Sequence, residues 1–452
     1  MNTHSVGTEL NIEQVLTERY EQCQAGYPSC FYQHDVQSPV SDLTTPLDAV
    51  KDGWYIRTND GDEFLGLGIA KQWKFPNVSA LRSFDRERLN LINMGLRPNT
   101  LIAGGWSFSS SPSQDHLWEA FSFSHWTVPA LFIRKTANGY SAQLTLFINR
   151  NQSLSEILDY YAGIFDSVMH PVSTCSPKVL GSQSYPSAQE WTKRVDDAIS
   201  ALRSGHLSKL VLARRVDATF ATSPNLGNIL KRLKHHNPST TIFAIKSQGH
   251  TFLGATPERL IAVHNHHLRT MALAGTVPRG NTPEDDRAQV TELLSSEKDQ
   301  REHATVVKRI TDTLSPYANL TMPKRPQVLT LSNVHHLWTP IEGQLREDAS
   351  LLSLATLLHP TPAVGGEPRE AAIEWLQKYE GLNRGWYAGG VGFMDLQGNG
   401  SIWVALRSAL IRDRTAHCYA GCGIMQDSIA ERELAESEWK LQAMLNALGV
   451  ND

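Results

Sequence analysis

Apolar residues recur at two spacings along this chain, and each change of spacing marks an element. Pro186-Ser187-Ala188-Gln189-Glu190 is a capping-box pattern, with Ser187 as N-cap and Glu190 three residues on. Trp191, Val195, Ile199 and Leu202 then fall at helical spacing and predict a helix to about Gly205. Helices are also expected over residues 11–24, 153–169, roughly 285–314 and about 429–448. Short apolar runs bounded by turn residues predict strands over 101–108, 130–134 and 141–149 in the first third. Further strands are expected over 209–216, 259–264, 267–274, 386–395, 401–412 and 417–421, with a hairpin-like pair at 241–245 and 252–253. Residues 170–186, rich in Pro, Ser and Gly, read as a connector.

Strands and helices are mixed without a regular strand–helix–strand alternation. The expected class is therefore α+β with large antiparallel sheets. The connector separates residues 1–168, where no chemical motif stands out, from residues 187–450, where motifs concentrate.

Composition narrows the function classes. The 452 residues are 41% hydrophobic and 19% charged, which is ordinary for a globular chain with a large core. The formal charge of −4 comes with no basic run, so no nucleic-acid partner is expected. No stretch of about 18 apolar residues occurs, so no membrane span is expected. The first residues lack an apolar segment behind a basic one, so a secretory signal is not expected. The five cysteines, Cys23, Cys30, Cys175, Cys418 and Cys422, are odd in number and form no CxxC pair. Reduced thiols in a cytoplasmic protein fit them better than disulfides or zinc.

The candidate chemistry is mostly acidic. Asp299 and Glu302 stand three apart on one predicted helix, and Glu433, Glu436 and Lys440 share one face of the last. Two such faces brought together would suit Mg²⁺, although either alone equally fits a solvated face. Gly421-Cys422-Gly423-Ile424, between a strand and a helix, reads as a turn whose amides can bind an anion or simply bend the chain. Ala274-Gly275-Thr276 closes another strand in the same way. Gly365-Gly366 reads as loop punctuation. Lys209 opens an apolar strand between Leu207 and Val211; facing inward, it would serve as a base only as the neutral amine. Glu258 follows a turn, where a surface carboxylate is the plain alternative. His336 fits a hydrogen-bonded structural histidine as well as a ligand. Arg407 lies on the apolar face of Trp403 and Ala405 and needs an anion, from the protein or from a substrate.

At these residues the sequence resembles the chorismate-utilising enzymes, which include anthranilate, aminodeoxychorismate, salicylate and isochorismate synthases. The resemblance runs from about Ser187 to Leu448 through KLVLARR, FLGATPERL, ALAGT, SEKDQREH, HPTPAVGG, GWYAGGVG, VALRSA, AGCGI and ERELAESEWK. The front third, with GGWSF and HLWEAFSFSHWTVPALFI, is similar to the more variable part of isochorismate synthases. The fold it implies has antiparallel sheets packed face to face with helices outside.

The resemblance also implies roles. Glu302 and Glu436 match direct Mg²⁺ ligands, and Asp299 and Glu433 their water-mediated partners. Arg407, Tyr387, Lys440 and the backbone of Gly421 and Gly423 match the groups that hold the substrate carboxylates. Gly275 and Thr276 match a turn beside the ring, and His336 a histidine near the pyruvyl side. Lys209 matches the base that activates water, and Glu258 the acid facing the departing hydroxyl. Lysine at 209 marks the water-using enzymes; Ala274 disfavours the aminodeoxychorismate branch, and Ala363 disfavours salicylate synthases. The implied activity is an isochorismate synthase acting on chorismate, menaquinone-type by preference and expected to be a monomer. Salicylate synthesis and a siderophore pathway remain alternatives. A helical Mg²⁺-dependent isoprenyl-type synthase and a non-catalytic binding module are the rivals from other classes.

Overall fold

Several strands are apolar at every position, and an antiparallel sheet tolerates that only when both its faces are covered. In the computed structural model of the chain, residues 12–25, 30–38, 40–109, 116–148, 151–169, 176–346 and 349–450 are described. Among them, strands form two antiparallel sheets, one of twelve strands and one of ten.

Alternation along the larger sheet sorts its side chains between two cores. Trp54 and Ile56, Phe243 and Ile245, Phe252 and Leu410 enter the core shared with the second sheet. Tyr55, Ile242, Ala244, Leu253 and Ala409, one residue out of phase, join the opposite core. There they meet the apolar stripes of the helices Leu154–Met169, Leu226–His236 and Ala430–Leu448. The sheets thus pack face to face with helices outside, as the resemblance implies.

Both sheets run through the residues on either side of the connector. Gly53–Arg57 pairs with Thr241–Ser247, and Ile102–Trp106 with Gly390–Met394. The connector itself is partly a strand: Val179–Tyr185 pairs with Lys209–Phe220 along one edge. Its exposed, polar, small residues gave no apolar signal, and residues 170–175, with Cys175, lie outside the described residues.

Two other expectations are corrected. The long helix over 285–314 is two helices, Pro283–Ser295 and Glu297–Leu314. Ser296 between them is extended, and its side chain caps the second helix by accepting from the Asp299 amide. The strand over 401–412 is also two, and they belong to different sheets: Gly400–Val404 in the smaller and Ser408–Arg412 in the larger. Cys23 is buried, and Cys418 and Cys422 are buried and unbridged. No described helix is long and apolar enough to cross a membrane.

Candidate active site

The chain passes between the sheets twice in adjacent places, and each passage delivers a charged side chain to the interior. At Pro257-Glu258 it leaves His250–Thr256 for Arg259–His264; at Ala405–Arg407 it returns to Ser408–Arg412. The two passages are laced together. The Val404 amide donates to the Glu258 carbonyl at 3.0 Å, the Ala255 amide to the Arg407 carbonyl at 3.1 Å, and Thr256 Oγ1 to the Val404 carbonyl at 2.6 Å. Strand-to-strand transfer therefore fixes Glu258 and Arg407 in one frame.

Glu258 is buried, and among the described residues its carboxyl makes no hydrogen bond. Burial pushes its pKa up to about 7, against the opposing pull of Lys209 and Lys440. Arg407 is also buried, and its backbone is left-handed at φ 47°. Its Nη2 donates to His336 Nε2 at 2.8 Å, while Nη1 has no partner. Among the described residues no carboxylate pairs with it, and burial lowers its pKa to about 10. A buried guanidinium with a free N–H edge facing a cavity is built for an anion from outside.

His336 is the hydrogen-bonded histidine of the plainer alternative, and it serves this arginine. Its Nδ1 meets Thr276 Oγ1 at 3.0 Å and the Gly275 carbonyl at 3.3 Å, and burial beside Arg407 keeps the ring neutral. Nδ1 therefore carries the proton and Nε2 accepts from Arg407. Gly275 sits at a β-bulge with φ 80°, where an added Cβ would come within 3.1 Å of Asp299 Cβ.

The carboxylates come from two helices. Glu302 on Glu297–Leu314 and Glu436 on Ala430–Leu448 line the same cavity as Glu258 and Arg407. Three lysines answer the acids. Lys209 Nζ lies 2.8 Å from Glu302, at an angle outside hydrogen-bonding geometry, Lys440 2.6 Å from Glu436, and Lys298 2.8 Å from Glu433. Lys440 also donates to the Gly421 carbonyl at 3.0 Å. Burial, then the charges of Glu302 and Glu436, raises Asp299; burial and Glu436 raise Glu433. Among the described residues no three acidic, imidazole or thiol groups stand close enough to form a ready-made metal cluster. The carboxylates nonetheless fit a hard cation. Four acids, Asp299, Glu302, Glu433 and Glu436, are crowded enough to repel one another, and among the described residues three ammonium groups pair with them.

The glycines do not form the expected turn. Gly421 to Ile424 are the end of the strand Thr415–Ile424, paired with Lys209–Phe220. Their bareness makes room for side chains. A Cβ on Gly421 would sit 3.1 Å from the Tyr387 hydroxyl, and one on Gly423 2.4 Å from Glu302 Oε1. Gly366, taken for loop punctuation, packs against Lys209: a Cβ there would lie 2.4 Å from the Lys209 carbonyl.

The expected residues converge. Glu258, Gly275, Thr276, Glu302, His336, Ala363, Tyr387, Arg407, Gly421, Gly423, Glu436 and Lys440 line one cavity. Lys209, Asp299 and Glu433 do not line it; Lys209, 1% exposed, lies behind Glu302 and points inward rather than to solvent. Sequence reasoning missed Lys298, although it stands in the SEKDQREH motif directly before Asp299. It also missed the apolar wall of Leu273, Val364 and Leu406, which nothing in their local sequence separates from ordinary core.

The chain can now be set beside known proteins. A family model described as chorismate binding enzyme matches residues 21–449. Isochorismate synthase MenF of Bacillus subtilis is 33% identical over 421 residues, covering 93% of this chain and 88% of that one. A salicylate biosynthesis isochorismate synthase of Pseudomonas aeruginosa is 34% identical over 352 residues, 77% of this chain and 74% of that one. The solved structure of MenF, the menaquinone-specific isochorismate synthase from Escherichia coli, matches with a TM-score of 0.79 at 26% identity, covering 97% of this chain and 99% of that one. The all-helical alternative falls with the two sheets, and the chain belongs to the chorismate binding enzymes.

Proposed function

We propose that this enzyme is an isochorismate synthase, converting chorismate to isochorismate by adding water at ring carbon C2 and expelling the C4 hydroxyl. The observation that carries the reading is Glu258, a buried carboxyl whose pKa is pushed up to about 7, lining one cavity with an arginine that pairs with no carboxylate among the described residues. A dicarboxylate substrate needs the positive charge of Arg407 and Lys440, and a hydroxyl leaving group needs a proton. Glu258 holds that proton near neutral pH.

In this reading Glu302 and Glu436 would hold Mg²⁺, with Asp299 and Glu433 as their supporting carboxylates. When bound, Mg²⁺ neutralises the ring carboxylate and draws electron density from the ring as a Lewis acid. Arg407, fixed by His336, Thr276 and Gly275, grips a substrate carboxylate together with Tyr387, Lys440 and the backbone at Gly421 and Gly423. Lys209 would take a proton from the attacking water. Glu258 gives its proton to the departing hydroxyl. One water is consumed and one released, so the reaction is an isomerisation.

The B. subtilis and E. coli relatives favour the menaquinone branch, and Ala363, which lines the cavity, favours stopping at isochorismate. The test is incubation with chorismate and Mg²⁺, followed by chromatography. Isochorismate is expected, and EDTA should abolish its formation. Salicylate with pyruvate would move the reading to a salicylate synthase. No product from the Mg²⁺-supplemented enzyme would leave a binding module and end the proposal.

Gly423→Ala tests the carboxylate arrangement. The added methyl would fall 2.4 Å from Glu302 Oε1 and 3.1 Å from Lys209 Cε. Displacing a ligand's support typically costs about 10–100-fold in metal affinity or activity. A matching rise in the Mg²⁺ concentration for half-maximal rate is expected, and an unchanged Mg²⁺ titration would count against Glu302 as a ligand.

A further inference from the structure

Trp106 is buried in the strand Ile102–Trp106, contributed by the front third, and does not line the cavity. Its indole N–H donates to His359 Nδ1 at 3.2 Å, and the two rings meet edge-on at 5.7 Å. His359 is buried, and its pKa, chiefly through burial, falls to about 4. With Nδ1 accepting, the single proton of the neutral ring stands on Nε2, which lies 2.8 Å from the Ala388 carbonyl and donates to it.

Ala388 is where this chain of bonds reaches the site. It lines the cavity in a left-handed conformation, φ 59°, which an L-residue adopts only under constraint. Its neighbour Tyr387 stacks on Tyr419 with centroids 5.2 Å apart and rings 15° from parallel. The Ala388 amide donates to the Ala405 carbonyl at 3.0 Å, and the Ala405 amide returns a bond to Gly389 at 2.9 Å, two residues short of Arg407. The next glycines exist for Trp106. A Cβ on Gly389 would lie 2.0 Å from the Trp106 carbonyl oxygen, and one on Gly390 2.2 Å from its ring.

We propose that Trp106 is a positioning residue. By fixing the His359 tautomer it holds Ala388 left-handed, and so sets both Tyr387 and the passage that carries Arg407. The front third thereby contributes to substrate binding through a contact outside the cavity. The kinetic readout rests on the function proposed above; the structural one does not.

Trp106→Phe keeps most of the ring and removes the donor. Hydrogen–deuterium exchange over residues 384–390 is expected to speed up relative to wild type. With chorismate, kcat/KM should fall about tenfold, the size of one buried hydrogen bond lost, mainly through KM because Tyr387 and Arg407 bind rather than react. Glycine adopts the left-handed conformation freely, so adding Ala388→Gly to the variant should recover part of the loss. A merely structural role would lower the melting temperature and leave KM alone. Unchanged exchange over 384–390 in folded Trp106→Phe would overturn the inference, as would unchanged KM and kcat. Should that variant not fold, His359→Phe breaks the same bond to Ala388 and is read by the same exchange experiment. A wild-type chain that does not turn over chorismate would sink the functional reading, and the exchange result would still decide this one.

Discussion

Lys209→Met is expected to lower chorismate turnover by roughly 10³-fold, within the range for loss of a general base. The side chain is 1% exposed, and its nitrogen lies 2.8 Å from Glu302. Methionine fills similar volume but cannot take a proton from water. The same change strips Glu302 of its counter-charge. Removing one partner of a buried pair costs about 3–5 kcal/mol, because the remaining charge is left uncompensated. Without metal the variant should therefore melt well below wild type. If Glu302 is a Mg²⁺ ligand, saturating Mg²⁺ should raise the variant's melting temperature more than that of wild type, since the cation replaces the lost ammonium. Turnover should stay low in both cases. An active Lys209→Met enzyme would remove Lys209 as the base. An equal Mg²⁺ effect on both melting temperatures would remove Glu302 as the ligand.

The pairing also corrects the simplest picture of the base. Sequence reasoning asked only for a buried amine able to lose its charge. The structure puts a carboxylate, that of Glu302, 2.8 Å from its nitrogen. In the proposed reading Lys209 and a metal ion would compete for one group, Glu302, which would tie the base function to metal occupancy.

Sequence made the site more legible than the fold that builds it. Helical spacing puts Glu433, Glu436 and Lys440 on one face, and the family resemblance implied that this face meets Glu302 on another helix. Glu258 and Arg407 could be singled out, but not the reason they meet. That reason is the change of sheet at Pro257-Glu258, where a turn does not show which sheet the next strand joins, and at Ala405–Arg407, where the chain was read through as one strand. The break at Ser296 was missed for another reason: residues 295–303 are all polar, so no apolar spacing marks a change there, while a serine side chain takes over the cap. The strand Val334–Leu345, which carries His336, was missed. The glycines at 421 and 423 were noticed for the wrong property: their use is the absence of a side chain beside Glu302 and Tyr387, which depends on residues far away in sequence.

Glu258→Gln should separate activity from stability more sharply than any other change. Glutamine keeps the shape but cannot donate the proton, so a fall of about 10²–10⁴-fold is expected. Wild-type kcat/KM should decline as pH rises through about 7, the pKa of the Glu258 acid form, and the variant's residual rate should lack that decline. Wild-type stability should also fall as pH rises. The folded pKa is raised from the ordinary 4.5 to about 7, so the fold favours the protonated carboxyl. The stability associated with that form is fully present below the unfolded value and is lost as pH rises through the folded one. Between these limits the loss grows to on the order of 3 kcal/mol, at about 1.4 kcal/mol per pKa unit. Glutamine carries no charge at any pH and escapes it. Denaturant unfolding should therefore find the two proteins close at pH 4.5 and the variant the more stable at pH 8. This is the behaviour of a group kept for chemistry at the expense of the fold. A stability difference that does not widen with pH would show that Glu258 ionises normally, and it could not then be the proton donor. Wild-type activity in Glu258→Gln across the same range would dispose of that role directly.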